Sequence, residues 1–336
     1  MQTRVNSPAD IAGDIRRAVE DATWAPSVHN TQPWRFSVRG SRVSLSADAD
    51  RRLGVADPQG REMLISCGAA LYTLRLSLTA LGYAPVVRLL PDPDRPHLLA
   101  DVDVEPGELA DQQTLREHAQ IQRRRSHRGA FRPEPVPAAV FTAMRHAVER
   151  EGARLIEAVD AHVKGALAAL ADAAEHIQSR TPAYSTEIAR WAPSPRTTRQ
   201  DGVHEDAYPK QTAQTSPHFP GRDFARGQGW GTRPTPSEEP AVAGVVLLLV
   251  TDGDEPAEWL HAGQALQRAL LRASETDLSA AFHTQALEVP ELRAFIRAHF
   301  CHDAHPQMLL RLGAAGGAET PATVRRPVED VMIVEP

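Results

Sequence analysis

The sequence predicts an α+β fold in which two architecturally related halves, residues 1–107 and 108–336, share one chain. Three observations predict it. Helical runs with apolar residues three and four apart are interleaved with short strand-like runs. The order helix, loop, strand read over residues 8–47 recurs over 138–159. The longest apolar run, 241–250, has the length of a buried strand and falls well short of a membrane span. At 336 residues the chain can bury a sizeable core, as two domains or one two-lobed body.

Ser7-Pro8-Ala9-Asp10 opens the first helix, with Ser7 as N-cap, Pro8 at the first helical position and an acid in the first turn. Ile11, Ile15, Ala18 or Val19, and Ala22 continue its apolar face. Residues 34–38 and 42–46 alternate about Gly40 and predict a hairpin. After Pro58, a long helix is expected, because Leu64, Cys67, Leu71, Leu74, Leu78 and Leu81 keep a helical rhythm up to Gly82. Ser66, Gly68, Ala69 and Ala70 let another helix approach it closely. Strands over 85–91 and 98–105 close the first half.

The second half opens with a helical segment running into Arg123–Arg128. Val140, Met144 and Val148 mark a helix and residues 153–159 a strand. Only Glu151-Gly152 joins them, where the first half has a long polar loop. Val163, Leu167, Leu170, Ala174 and Ile177 form a helix that stops by Pro182. Residues 192–240 are rich in proline and glycine and too long for a passive connection, so they are either a lid or a partly disordered insert. Trp191, Tyr208, Phe219, Phe224 and Trp230 give the segment apolar groups to dock, which favours the lid. A helix through Trp259, Gly263, Leu266 and Leu270, a strand over 308–312 and an apolar end at 331–334 complete the chain.

Composition narrows the function. A formal charge of −6 and a pI near 6.2 leave no basic face for phosphate neutralisation, so no nucleic-acid partner is expected. Cys67 and Cys301 are too few for a disulfide framework or a four-cysteine metal site. Residues 1–10 lack the apolar core of a signal peptide, which with the cysteine usage predicts a cytoplasmic protein without a membrane partner. His299, Cys301, His302 and His305 have metal-like spacing but lead straight into a strand at Pro306, so a polar helix end is the preferred reading and no metal is expected. Ser27 and His29 lack the Gly-x-Ser-x-Gly turn and orienting acid of a hydrolase. No Gly-x-Gly-x-x-Gly or Walker loop occurs.

Two stretches carry more chemistry than packing requires. Between Trp24 and Trp34, the loop Pro26-Ser27-Val28-His29-Asn30-Thr31-Gln32-Pro33 gathers neutral amides and hydroxyls. Such groups suit the polar edge of a planar ligand, with the tryptophans as apolar walls; the plainer alternative is a loop that satisfies only its own backbone. Arg124, Ser126 and Arg128 place two guanidinium forks and a hydroxyl on one edge. They read equally as a phosphate cradle and as a solvated charge run at a helix end.

Ala25-Pro26-Ser27-x-x-Asn30-x-Gln32-Pro33-Trp34 resembles the flavin loop of the FMN-dependent nitroreductase superfamily, and the whole chain resembles its fused, Acg-type actinobacterial branch. The resemblance implies a nitroreductase-like α+β fold whose two pseudo-symmetric halves imitate the family homodimer. It assigns Pro26, Ser27, Val28, Asn30 and Gln32 to the flavin from the first half. From the second half, Arg124 and Ser126 would hold the phosphate and ribityl tail, Arg128 would lie beside the pyrimidine edge, and Arg325-Arg326 would complete the phosphate site. Thr284 and Gln285 fall where the family presents backbone to the flavin N5. Since the loop occurs early and the arginine elements late, one FMN per chain is implied, with hydride chemistry at N5 and no catalytic side chain. NAD(P)H would be the electron donor, and nitroaromatics or quinones the small-molecule acceptors. The rival reading is a flavin-binding or sequestering protein, sealed by residues 192–240, with little turnover and a stress or dormancy role.

Overall fold

In the computed structural model, residues 8–194, 196–207, 215–222, 241–316 and 323–336 are described. Ser7, Tyr208, Phe224 and Trp230, assigned above to capping and docking, lie outside the described residues.

Helix α1 (Pro8–Ala22) buries Ile15, Ala18, Val19 and Ala22, the face its spacing predicts. The hairpin β1 (Trp34–Arg39) and β2 (Arg42–Ala47) follows, turning at Gly40 with φ of 58°. Helix α2 (Arg61–Ala80) is buried along most of its length, and β3 (Tyr83–Leu89) pairs antiparallel with β4 (Leu98–Pro106). Helix α3 (Gln112–His118) is capped by Asp111, which accepts from the Thr114 amide at 2.7 Å. It stops short of the arginine run, contrary to the sequence expectation. The His127 amide donates to Ala280 at 2.8 Å, so this backbone is committed to a strand bridge that a continuing helix would forbid.

Helix α4 (Ala138–Glu149), strand β5 (Arg154–Glu157), helix α5 (Ala161–Ser179) and helix α6 (Pro182–Arg190) come next. Strands β6 (Thr215–Ser216) and β7 (Ala241–Val242) form a short parallel pair. The apolar run then becomes β8 (Val245–Thr251), broken from β7 at Gly244, whose φ is 75° and where a Cβ would meet the Leu312 carbonyl oxygen at 2.5 Å. Helix α7 (Pro256–Ser274), strand β9 (Leu278–Phe282), helices α8 (Gln285–Glu288) and α9 (Pro290–Phe300) and strand β10 (His305–Ala314) complete the second sheet region. The chain ends in α10 (Val328–Val331) and β11 (Met332–Val334).

Among the described residues, one sheet has the order β11-β1-β2-β4-β3 and another β5-β8-β10-β9. Within each, the second and third strands of the chain order are joined by a long helix, α2 in one and α7 in the other. Those helices pack against each other at their glycines: a Cβ on Gly68 would lie 3.1 Å from the Gly263 Cα, with the Leu260 carbonyl closer still. Close helix approach of this kind buries Leu64, Cys67 and Leu71 together with Leu260, Leu266 and Leu270 in one core. Helix α2 is long and apolar enough to cross a membrane by composition, and 83% of that stretch is buried inside the protein, as a core helix requires. Strand β11 pairs in parallel with β1, with Phe36 opposite Met332, so the chain end is built into the sheet formed by its beginning.

Candidate functional site

The loop after α1 runs across the flank of α2. The Val28 amide donates to Ser66 Oγ at 3.1 Å, and Ser27 Oγ accepts from the Gln32 amide at 3.0 Å. Pro26, Ser27 and Val28 are half-buried, whereas His29, Asn30, Thr31 and Gln32 are buried. The loop is held in an uncommon conformation, since His29, Asn30 and Gln32 have φ of 49°, 54° and 50°. Positive φ costs free energy at any non-glycine residue, so three in one loop require strong external fastening.

That fastening comes from the amides. Asn30 Nδ2 donates to the carbonyls of Gly202 at 2.9 Å and Val324 at 3.1 Å, while its Oδ1 accepts from Arg325 at 3.2 Å. Gln32 Nε2 donates to the Gln200 carbonyl at 2.8 Å, and its Oε1 accepts from the Arg326 amide at 2.8 Å. Both amides therefore join the loop to residues 200–202 and to the chain end.

Arg124 and Arg325 converge on one acceptor, the Trp24 carbonyl, at 3.2 Å and 3.3 Å. The Arg325 guanidinium also lies over the Trp24 ring, 5.5 Å from its centroid. Arg124 Nε and Nη1 and Arg325 Nε are buried without a hydrogen-bond partner. Burial pushes Arg325 down to about 9, and neighbouring Arg124, Arg125 and Arg128 push the same way. Arg124 falls to about 10 through burial, with Arg125 and Arg128 adding to it. Among the described residues no carboxylate acts on Arg124 or Arg325, and their unspent N–H donors are gathered at one place. An anion with several acceptor oxygens fits that donor set, as a phosphate does.

Strand β9 ties the remaining candidates to this point. Ser126 bridges Ala280 within β9, and the strand leads directly to Thr284 and Gln285 at the start of α8. Arg128 donates to the Ala207 carbonyl at 3.4 Å and acts electrostatically on Arg124, Arg325 and His29. Thr284 Oγ1 donates to Glu288 at 3.3 Å, and Gln285 Nε2 to Glu175 at 3.4 Å. Arg326 has different surroundings from Arg325: its guanidinium donates to the carbonyls of Gln32 at 3.3 Å and Asp330 at 2.6 Å. Of the paired arginines, the structure brings only Arg325 to Arg124.

Sequence reasoning missed the opposite end of the site. Arg222 donates to His29 Nε2 at 3.0 Å and pairs with Glu288, and the Tyr184 hydroxyl accepts from the same guanidinium. Because arginine has no acceptor, His29 Nε2 must carry its lone pair and the imidazole is neutral. Burial and then the Arg222 and Arg128 charges hold His29 well below the usual histidine range. Arg222 belongs to no recognisable motif; only its contact with His29, far away in sequence, identifies it.

No protein-family model matches the chain. Crystal structures of FMN-bound nitroreductases from Bacteroides fragilis and Desulfitobacterium hafniense align over 62% and 61% of this chain and 94% and 92% of theirs. Their identities are 14% and 15% and their TM-scores 0.37 and 0.38. Sequence likeness is much stronger. A Mycobacterium tuberculosis H37Rv protein provisionally named an NAD(P)H nitroreductase is 34% identical over 326 residues, spanning 96% of this chain and 91% of its own. A second protein of that strain, provisionally named NAD(P)H nitroreductase acg, is 32% identical over 323 residues, 95% of each chain. On that likeness over nearly its whole length, the chain belongs to the NAD(P)H nitroreductase family, in the branch that contains Acg.

Proposed function

We propose that the chain is an FMN-dependent oxidoreductase that draws reducing equivalents from NAD(P)H and passes them to a small acceptor of the nitroaromatic or quinone type. The observation that carries this reading is the set of buried, unspent N–H donors on Arg124 and Arg325 beside the Asn30 loop. Arg124 and Arg325 would hold the phosphate, Ser126 the ribityl chain and Arg128 the pyrimidine edge; Pro26, Ser27 and Val28 would flank the ring from the first half. Thr284 and Gln285 would border the ring from α8. Asn30, Gln32 and Arg326 would act by fixing the loop. Bound FMN would supply hydride acceptance and donation at its N5. Arg128 would add fixed positive charge beside the pyrimidine edge, which favours the reduced cofactor, and the Trp24 ring would shield the phosphate end from water.

One FMN per chain is part of the proposal, with the two halves standing in for two subunits. Where the second half would carry the matching loop, Glu151 instead accepts from Arg75 on α2 and Arg268 on α7, each at 2.7 Å. A protein carboxylate thus occupies guanidinium groups at that position. A second reading is favoured by the fastening of residues 200–202 and 222 onto Asn30, Gln32 and His29: a sealed flavin-binding protein with little turnover.

Anaerobic stopped-flow spectroscopy separates them. Bleaching of bound FMN by NADH or NADPH supports the enzyme. Bleaching by dithionite alone supports the sealed protein, and a chain that stays colourless after incubation with FMN overturns both.

A further inference from the structure

Besides the β6–β7 pairing and the Arg222–Glu288 ion pair, two buried histidines hold residues 215–222 to the rest of the protein, and both accept hydrogen bonds from arginine. At one end, His29 Nε2 accepts from Arg222 at 3.0 Å. At the other, His283 Nε2 accepts from Arg311 Nε at 2.8 Å, while His283 Nδ1 lies 3.2 Å from the Pro220 carbonyl. A carbonyl only accepts and an arginine only donates, so His283 must be the neutral Nδ1–H tautomer. Its ring stacks obliquely on Phe219 at 5.0 Å, and Arg311 lies between the Phe219 and Phe131 rings at 5.3 Å from each. Segment 215–222 therefore rests on one imidazole through Phe219 and Pro220 and on the other through Arg222.

We propose that this pair of neutral histidines makes segment 215–222 an acid-released element, let go when either ring takes a proton. Protonation converts each Nε2 from an acceptor into a donor aimed at a guanidinium, so a bond is lost and two cations face each other. Among the described residues, the charged groups that act on each ring push in the same sense. His29 faces Arg222 and Arg128, and His283 faces Arg311, Arg222 and His218. The Glu288 carboxylate, which lies beside Arg222, is already paired with it. Burial and these charges hold both histidines well below their usual range while the segment is seated. The released state, with ordinary histidines, binds protons more tightly, so seating is secure above about pH 6.5 and weakens as pH falls below it. Each histidine makes the release equilibrium rise by up to about tenfold per pH unit in that window, and the two together by up to about a hundredfold. Release also removes Arg222 from the far end of the candidate site, whichever cofactor that site takes.

Peptide-resolved hydrogen exchange on the full-length protein between pH 7.5 and 4.5, corrected for the intrinsic pH dependence of exchange, tests this. Protection of residues 215–222 is expected to be flat above pH 7 and then to fall with a slope approaching two decades per pH unit, while β8 and β10 stay protected. His29→Gln and His283→Gln, each keeping an acceptor that does not titrate, are each expected to lower the slope by about one, and the double variant to abolish it. The wild-type curve decides even where a variant fails to fold. Flat protection down to pH 4.5, or loss shared equally by β8 and β10, overturns the proposal, as does an unchanged slope in the folded double variant.

Discussion

Arg325 and Arg124 show how much a residue's meaning depends on its partners. Their sequence neighbours Arg326 and Arg125 look equivalent in the chain, yet only Arg124 and Arg325 meet at the Trp24 carbonyl with donors to spare. Arg325→Ala or Arg124→Ala is expected to weaken FMN retention by about 1.5–3 kcal/mol, the value of a charge-assisted hydrogen bond, or roughly 10- to 150-fold in Kd. Arg326→Ala, which loses contacts to Gln32 and Asp330, should weaken it less. Fluorescence titration with FMN measures the three variants, and equal losses would place Arg326 with Arg124 and Arg325 in the proposed phosphate site. Burial lowers Arg124 to about 10 and Arg325 to about 9, well below the usual arginine range. The unfolded chain therefore holds these protons more tightly, and their charging costs stability at neutral pH, a cost that lifts only as pH rises past about 9. A bound phosphate offsets this cost, so FMN is expected to raise the melting temperature more at pH 7.5 than at pH 9.5, read from thermal melts at matched ligand excess. The sequence marked these arginines but not His29 or Arg222 as partners, because that contact joins residues far apart in the chain.

At the scale of elements, the pairing of α2 with α7 sets the distance between the sheets. Their closest approach is backbone on backbone at Gly68 and Gly263, where an added methyl has no flexible side chain to displace. Gly263→Ala is expected to destabilise by about 1–3 kcal/mol or more, measured by chemical denaturation with an unchanged m-value. A loss under half of that would show that the helices can slide apart. The rhythm of α1, α4, α5 and α7 was legible because each buries a face at a helical period, and that of α2 because its leucines keep the period although almost the whole helix is buried. Strand β9 and helices α6 and α8 were not read. β9 is a short Leu-Ser-Ala-Ala-Phe segment whose identity comes from its neighbour β10, and α8 is a single turn. The helix expected to reach the arginine run ended early for the same reason, since β9 claims the His127 amide.

For the whole molecule, the chain end closes what the chain start opens. Strand β11 pairs with β1, and the Arg325–Arg326 segment just before it grips Asn30 and Gln32. Truncation after Pro327 keeps both arginines yet is expected to lower FMN occupancy below one per chain and to promote association, since β1 becomes an open edge. Flavin absorbance and size-exclusion chromatography read the two effects, and full occupancy in a monomeric truncated chain would limit β11 to a passive role. Sequence alone determined the local periods, the hairpin at Gly40, the small residues on α2 and the two polar motifs, because each depends on neighbours within a few turns. Tertiary structure decided which arginine of each run reaches the Trp24 carbonyl, that Asn30 and Gln32 spend their amides on distant backbone, and that Arg222 lands on His29. Those choices rest on burial and on contacts across the whole chain, where the cost of an unpartnered polar group is set by what the fold brings beside it.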